Sequence, residues 1–176
     1  NQELLPFILA SEKVVCGTAH ADNAAPSLLG GFVLVRSYSP LDVVSLAYPD
    51  DLCCAVVHPD LKINTRTARK IMKPEIHLKD AITQLGNVAG LTSGLANSDY
   101  ELISRSLVDV IAEPVRSNLI PGFDSVKQSA LDTGALGCGI SGSGPSMFAL
   151  CNDVEIAKSA GNAMQEEFEK LNIPST

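Results

Sequence analysis

The sequence predicts an α+β protein, and three observations carry that prediction. Short β-branched or apolar runs occupy residues 31–38, 42–49 and 52–59, separated by Pro, Asp and Ser. From Asn64 onward the apolar period lengthens from two residues toward four. A glycine-rich turn, GISGSGPS, then sits between the apolar runs GCGIS and SMFALC, which read as two further strands. Strands and helices mix without the regular alternation of a parallel doubly wound sheet.

Taken in order, the chain opens in an apolar helical run, NQELLPFILASE, with no initiating Met, and this suggests a piece of a longer protein. The run HADNAAPSLLGG, residues 20–31, sets His, Asp and Asn beside a helix-forming run. The three apolar runs that follow are expected to be consecutive strands of one antiparallel sheet. NTRTARKIM, residues 64–72, offers Asn or Thr as a helix cap. In residues 76–96, Ile76, Ala81, Ile82, Leu85, Ala89 and Leu95 recur at helical spacing. A shorter helix is expected from Asp99, and another over DSVKQSALDTGA after the Pro-rich joint EPVRSNLIPGF (residues 113–123). The last, DVEIAKSAGNAMQEEFEKL, is amphipathic and takes Asp153 as its cap.

Composition narrows the function classes. Forty-five per cent hydrophobic residues over 176 positions can fill a core, so the chain is globular. A net charge of −7, with no window concentrating Lys or Arg, argues against a nucleic-acid partner. No apolar run approaches the roughly 20 residues of a membrane span, so no membrane partner is expected. The five cysteines, Cys16, Cys53, Cys54, Cys138 and Cys151, form neither a disulfide ladder nor a CxxC metal pair, which fits a reducing, cytoplasmic setting.

Three constellations could carry chemistry. In HADN, His20, Asp22 and Asn23 fall within four residues and could converge on a small polar ligand, although Asp22 or Asn23 could equally cap the helix that follows. Arg69 and Arg116 are candidates for gripping a carboxylate, since a guanidinium fork matches that anion bidentately. Either could also be a solvated surface residue, and Glu113 beside Arg116 could make a plain ion pair. The glycine-rich run Ser141, Gly142, Ser143, Gly144 allows positive φ and close approach of backbone N–H groups to an anion, or simply a tight turn. No metal ligand set is apparent in the sequence.

The run GISGSGPSMFAL resembles the third conserved motif of the GHMP kinases, and HADNAAPSLLGGFVLVRS followed by EPVRSNLIPGF resembles the homoserine kinase family in particular. The resemblance covers nearly the whole chain. It implies that residues 1–49 are a remnant of the N-terminal domain carrying the HADN pocket motif. Residues 50–176 would be the ferredoxin-like α/β sandwich of the C-terminal domain, lacking its last strand. It further implies ATP-dependent phosphorylation of the side-chain hydroxyl of L-homoserine, with Mg accompanying ATP and with O-phospho-L-homoserine feeding threonine biosynthesis. Under it, His20, Asn23, Arg69 and Arg116 bind substrate, Arg116 at the carboxylate. Ser141, Gly142, Ser143 and Gly144 support the phosphate site. Asp22 aligns with the catalytic base of other GHMP kinases, a role uncertain for homoserine kinases. The PxxxGxGSSAA phosphate loop of the superfamily is not in this sequence, so the chain by itself is expected to be inactive. A homodimer is a further expectation. The alternatives are another GHMP kinase, such as a mevalonate-type enzyme, or a ferredoxin-like ligand-binding module without chemistry.

Overall fold

The computed structural model describes residues 2–16, 20–64, 68 and 70–176. They fall into two units, Asn1–Pro49 and Asp50–Thr176.

In the first unit, helices α1 (Leu5–Cys16) and α2 (Ala21–Leu29) accompany a hairpin of β1 (Phe32–Tyr38) and β2 (Leu41–Leu46). α2 packs on both α1 and β1, burying Leu5, Leu9, Ala21 and Ala25. α2 stops at Gly30, whose N–H returns to the carbonyl of Pro26 at 2.8 Å. Gly31 follows at φ +61°, and a Cβ there would stand 2.6 Å from the Tyr48 ring, so both backbone and packing require glycine. The β1–β2 pairing is antiparallel from Phe32↔Leu46 to Tyr38↔Leu41, with an irregularity between Val35 and Ser37.

The second unit is built on an antiparallel sheet of order β3-β5-β4: β3 (Cys53–Val57), β4 (Gly137–Ile140) and β5 (Met147–Cys151). Between β3 and β4 run α3 (Leu78–Asn97), α4 (Tyr100–Ser106), the short α5 (Glu113–Arg116) and α6 (Phe123–Asp132); α7 (Val154–Lys170) follows β5. This order, with helices after β3 and β5, is the ferredoxin-like arrangement of an α+β sandwich. Period-two alternation in β5 sends Met147, Ala149 and Cys151 to one face, where α6 supplies Phe123, Val126 and Ala130 and α7 supplies Ala157, Ala160, Met164 and Phe168. A large side chain buried as completely as Phe168 contributes about 1.5–3 kcal/mol through removal of apolar area from water. On the other face, a Cβ at Gly137 would meet Leu107 at 2.6 Å, so glycine lets the segment after α4 lie directly on β4. Pro174–Thr176 pairs with His58–Asp60, through His58 N–H to the Thr176 carbonyl at 2.8 Å and the reciprocal bond at 3.0 Å.

One expectation needs correction. The three early strands do not make one sheet: β1 and β2 pair with each other, whereas β3 pairs with β5, ninety-odd residues downstream. The turn at Pro49–Asp51 ends the hairpin, and β3's apolar residues find their partners in the later sheet. The helix expected over residues 76–96 is present as α3, with its apolar positions unequally covered. Gly94 and Leu95 are buried, but Ile82 and Leu85 are 60% and 69% exposed. The expected cap Asp153 is in place, accepting from Glu155 and Ile156 N–H, and Asp99, where the shorter helix was expected to begin, also caps it by accepting from Leu102 N–H. The helix expected over residues 64–72 lies partly outside the described residues.

Candidate functional site

The best-defined polar corner lies where α5 meets the β4–β5 turn. α5 has only four residues and cannot nucleate alone. Asp109 compensates for this: its carboxylate accepts from Ile111 N–H and Ala112 N–H at 2.8 Å each and from Glu113 N–H at 3.2 Å. Satisfying three orphan donors and placing a negative charge at the helix start both stabilise the turn. α3 holds the same segment from the other side. Asn87 Nδ2 donates to the Val108 carbonyl at 2.8 Å, and Val110 N–H donates to Gln84 Oε1 at 3.0 Å.

This scaffold fixes two charged side chains. Glu113 pairs with Lys127 of α6, and that ammonium also lies 5.7 Å from the centre of the Phe123 ring. The ion pair that the sequence allowed between Glu113 and Arg116 is therefore replaced by one across 14 positions. Arg116 turns instead to the glycine-rich turn, where Nη1 donates to the Gly142 carbonyl at 2.9 Å. Its Nε is buried and has no hydrogen-bond partner among the described residues. Leaving a buried donor unpaired costs about 1–3 kcal/mol, so the edge formed by Nε and Nη2 favours an incoming oxygen acceptor. A cavity of about 170 Å³ opens here, with Asp109, Glu113, Arg116, Gly142 and Phe148 in its lining.

The turn itself is closed by Ser141 N–H to the Ser146 carbonyl (2.8 Å) and Gly144 N–H to the Ser141 carbonyl (3.0 Å). Gly142 sits at φ +59° in open space, and its glycine is required by backbone conformation alone. The Gly142 and Ser143 N–H groups take no part in these internal bonds. Ser146 Oγ lies 2.8 Å from His58 Nδ1, tying the turn to the end of β3. Behind the turn, Cys138 is buried, and loss of solvation pushes its thiol up to about 12 despite the opposing pull of Lys127. It stays protonated at neutral pH and is no nucleophile.

The HADN residues lie at the start of α2. His20 is the N-cap by backbone and supplies no side-chain cap; Asp22 and Asn23 are inside the first turn with exposed side chains, so neither caps the helix. Asp22 there favours the helix dipole. Asn23 lines a shallow cavity with Phe7, Ile8 and Ser11 of α1. Arg69 lies outside the described residues. Among the described residues no group of three or more His, Cys, Asp or Glu could hold a metal ion, and no helix is long and apolar enough to cross a membrane. Reading the sequence missed Asp109 and Lys127. Asp109 could have been found as an acidic cap just ahead of Glu113-Pro114, but nothing local marks Lys127.

Residues 91–170 match the family described as GHMP kinases, C terminal. A homoserine kinase from Chlorobium phaeobacteroides (strain BS1) is 55% identical over 171 residues, covering 97% of this chain and 53% of that protein. The crystal structure of a homoserine kinase from Cytophaga hutchinsonii superposes with a TM-score of 0.98 at 54% identity, covering 99% of this chain and 56% of that one. A phosphomevalonate kinase from Streptococcus pneumoniae, solved with phosphomevalonate and AMPPNP, shares the fold at a TM-score of 0.59 with 18% identity. The chain spans about half the length of the curated relatives it matches, and by these likenesses it is similar, over nearly its whole length, to one half of the homoserine kinases, with the region that matches the C-terminal domain of GHMP kinases inside it.

Proposed function

We propose that this chain is the substrate-holding part of an enzyme that transfers the γ-phosphoryl group of ATP to the side-chain hydroxyl of L-homoserine. The product, O-phospho-L-homoserine, would serve threonine biosynthesis in the cytoplasm. The identity to homoserine kinases across 97% of the chain carries this reading. The free edge of the Arg116 guanidinium supports it chemically, because a planar amino-acid carboxylate matches that fork.

Phosphoryl transfer passes through a loose transition state in which positioning and charge neutralisation do most of the catalysis. Arg116 would fix the carboxylate, and so the register of the hydroxyl. Arg69, His20 and Asn23 would contact the rest of the amino acid, and Asp22 would orient the hydroxyl or take its proton. Ser141, Gly142, Ser143 and Gly144 would support the transferring phosphate, the Gly142 and Ser143 N–H groups facing its charge. ATP brings Mg, which neutralises phosphate charge when bound; no Mg ligand is assigned to the described residues.

The test is a product assay on the whole enzyme, following phosphate ester formation by ³¹P NMR with homoserine and mevalonate supplied together. The expected product is the homoserine ester. Transfer to mevalonate alone would transfer the reading to a mevalonate-type kinase, and homoserine binding without transfer would reduce it to a ligand-binding module.

A further inference from the structure

The charge balance of the Arg116 corner singles out Lys127, a residue that does not itself line the cavity. The charged side chains that do line it are Asp109, Glu113 and Arg116, two negative and one positive. Left so, the cavity would repel an entering carboxylate. Asp109 is spent on three backbone N–H groups at the start of α5. Glu113 is committed to the Lys127 ammonium, which reaches in from α6. Lys127 thus brings the corner to neutrality without taking any of the space a ligand would use.

Spacing also makes Glu113 a competitor for the guanidinium. Residues three apart on a helix are neighbours, and an acid placed N-terminal to a base is the favoured order for an intrahelical pair. Arg116 Nε is buried and has no partner among the described residues, and a buried donor in that state favours any carboxylate within reach. Glu113 nevertheless turns to Lys127. The side chains of that pair are only 22% and 16% exposed, so solvent and salt screen its attraction far less than that of a surface pair. Both ends are held in place. Lys127 stands between Val126 and Ala130 of the core, with its ammonium 5.7 Å from the centre of the Phe123 ring. Glu113 lies against β4 at Gly139, where a Cβ would stand 3.2 Å from Glu113 Oε2.

We propose that Lys127 is a positioning residue for the carboxylate fork: by holding Glu113 it keeps the Nε edge of Arg116 open for substrate and cancels the excess negative charge of the cavity. This rests on the reading of Arg116 as the group that meets the substrate carboxylate. Without Lys127, the half-buried Glu113 is left with an uncompensated charge and turns to Arg116, the cation three residues away. The fork is then closed by the protein's own carboxylate.

The test uses the whole enzyme and two readouts. In steady-state kinetics Lys127→Met should raise KM for homoserine about tenfold, the loss expected when Glu113 occupies the fork nine-tenths of the time, with a smaller change in kcat and none in KM for ATP. Adding Glu113→Gln should bring KM back close to the starting value, because the competitor and the excess charge are then both gone. A residue needed only for packing would not be relieved by that second change. Lys127→Arg, which keeps the pair, should resemble the unaltered enzyme. Where Lys127→Met does not fold, Lys127→Gln, which keeps a hydrogen bond to Glu113 but no charge, should shift KM in the same direction by less. The second readout needs no substrate: the ¹⁵N-labelled Nε–H resonance of Arg116, assigned by its loss in Arg116→Lys, should move in the Lys127 variant and return when Glu113→Gln is added. A KM indifferent to Lys127, or a double variant as impaired as the single one, overturns the proposal. An enzyme that leaves homoserine untouched removes the proposed function instead; there, movement and return of the Nε–H resonance uphold the control of Arg116 by Lys127, and a constant resonance overturns it.

Discussion

The two candidate regions are built in opposite ways. The Arg116 corner is over-determined: Asp109 pins the start of α5, α3 pins the segment before it, Lys127 neutralises Glu113, and Arg116 itself holds the Gly142 carbonyl. Of the guanidinium's nitrogens, the buried Nε has no hydrogen-bond partner among the described residues. The HADN helix offers its polar side chains from one exposed turn, and neither Asp22 nor Asn23 supplies a helix cap. Difference in preorganisation implies difference in consequence. A charge held rigid in a half-buried corner loses little entropy on meeting its ligand, whereas an exposed side chain must be ordered by the ligand itself.

That contrast can be broken in graded steps. The largest effect is expected at Arg116. Removing one partner of a desolvated charge pair costs ~2 to 5 kcal/mol, so Arg116→Ala in the whole enzyme should reduce kcat/KM for homoserine by roughly 30-fold to several thousand-fold. Arg116→Lys should recover little, since an ammonium cannot serve Gly142 and a carboxylate together. An analogue without the carboxylate separates the roles: it should lose far less than homoserine does. Equal losses on both substrates would mean that Arg116 serves only to hold the turn.

Asp109 should come next, acting through Arg116 and not on substrate. Losing a helix cap costs ~0.5 to 2 kcal/mol, so Asp109→Ala should raise KM for homoserine by up to roughly 30-fold with a smaller change in kcat. Asp109→Asn or Asp109→Ser, which keep an acceptor, should recover most of it. A fall in kcat at unchanged KM would contradict a positioning role. Smaller again is Asp22→Asn. If Asp22 orients the hydroxyl, the loss in steady-state rate should stay below the ~10² to 10⁴ typical of a missing general base. A loss near the top of that range, with substrate binding intact, would make Asp22 the base and reverse the contrast between the two regions.

The smallest effect concerns stability. Cys138 is held protonated up to about pH 12 in the folded chain, against an ordinary value of 9.0. Between these values the unfolded chain has released a proton that the folded chain retains, so its contribution is full below pH 9 and falls as pH rises toward 12. Chemical denaturation across this range should show declining stability, with a shallower decline in Cys138→Ala. An identical slope in that variant would assign the alkaline loss to other groups.

Much of this architecture is legible one segment at a time. Asp99 and Asp153 announce their helices because a cap acts within three residues of its own backbone. The glycine-rich turn between β4 and β5 is readable because glycine adopts at little cost the positive φ that Gly142 and Gly144 take here. HADN, EPVR and GISGSGPS carry the resemblance to homoserine kinases by residue type and order. Partner choice is not legible in this way. Nothing in residues 52–59 distinguishes a third strand beside β2 from an edge strand beside β5, because period two is common to both. The spacing of Ile82, Leu85 and Ala89 in α3 specifies a face but not what covers it. Glu113 had Arg116 three residues away, yet it pairs with Lys127. Residue types, caps and turns were thus determined by the sequence itself, through forces that act over a few residues. Which strand β3 joins, which cation Glu113 meets and where Arg116 points were decided only by the tertiary structure, because those contacts arise from elements distant in the chain competing for the same burial and the same charge.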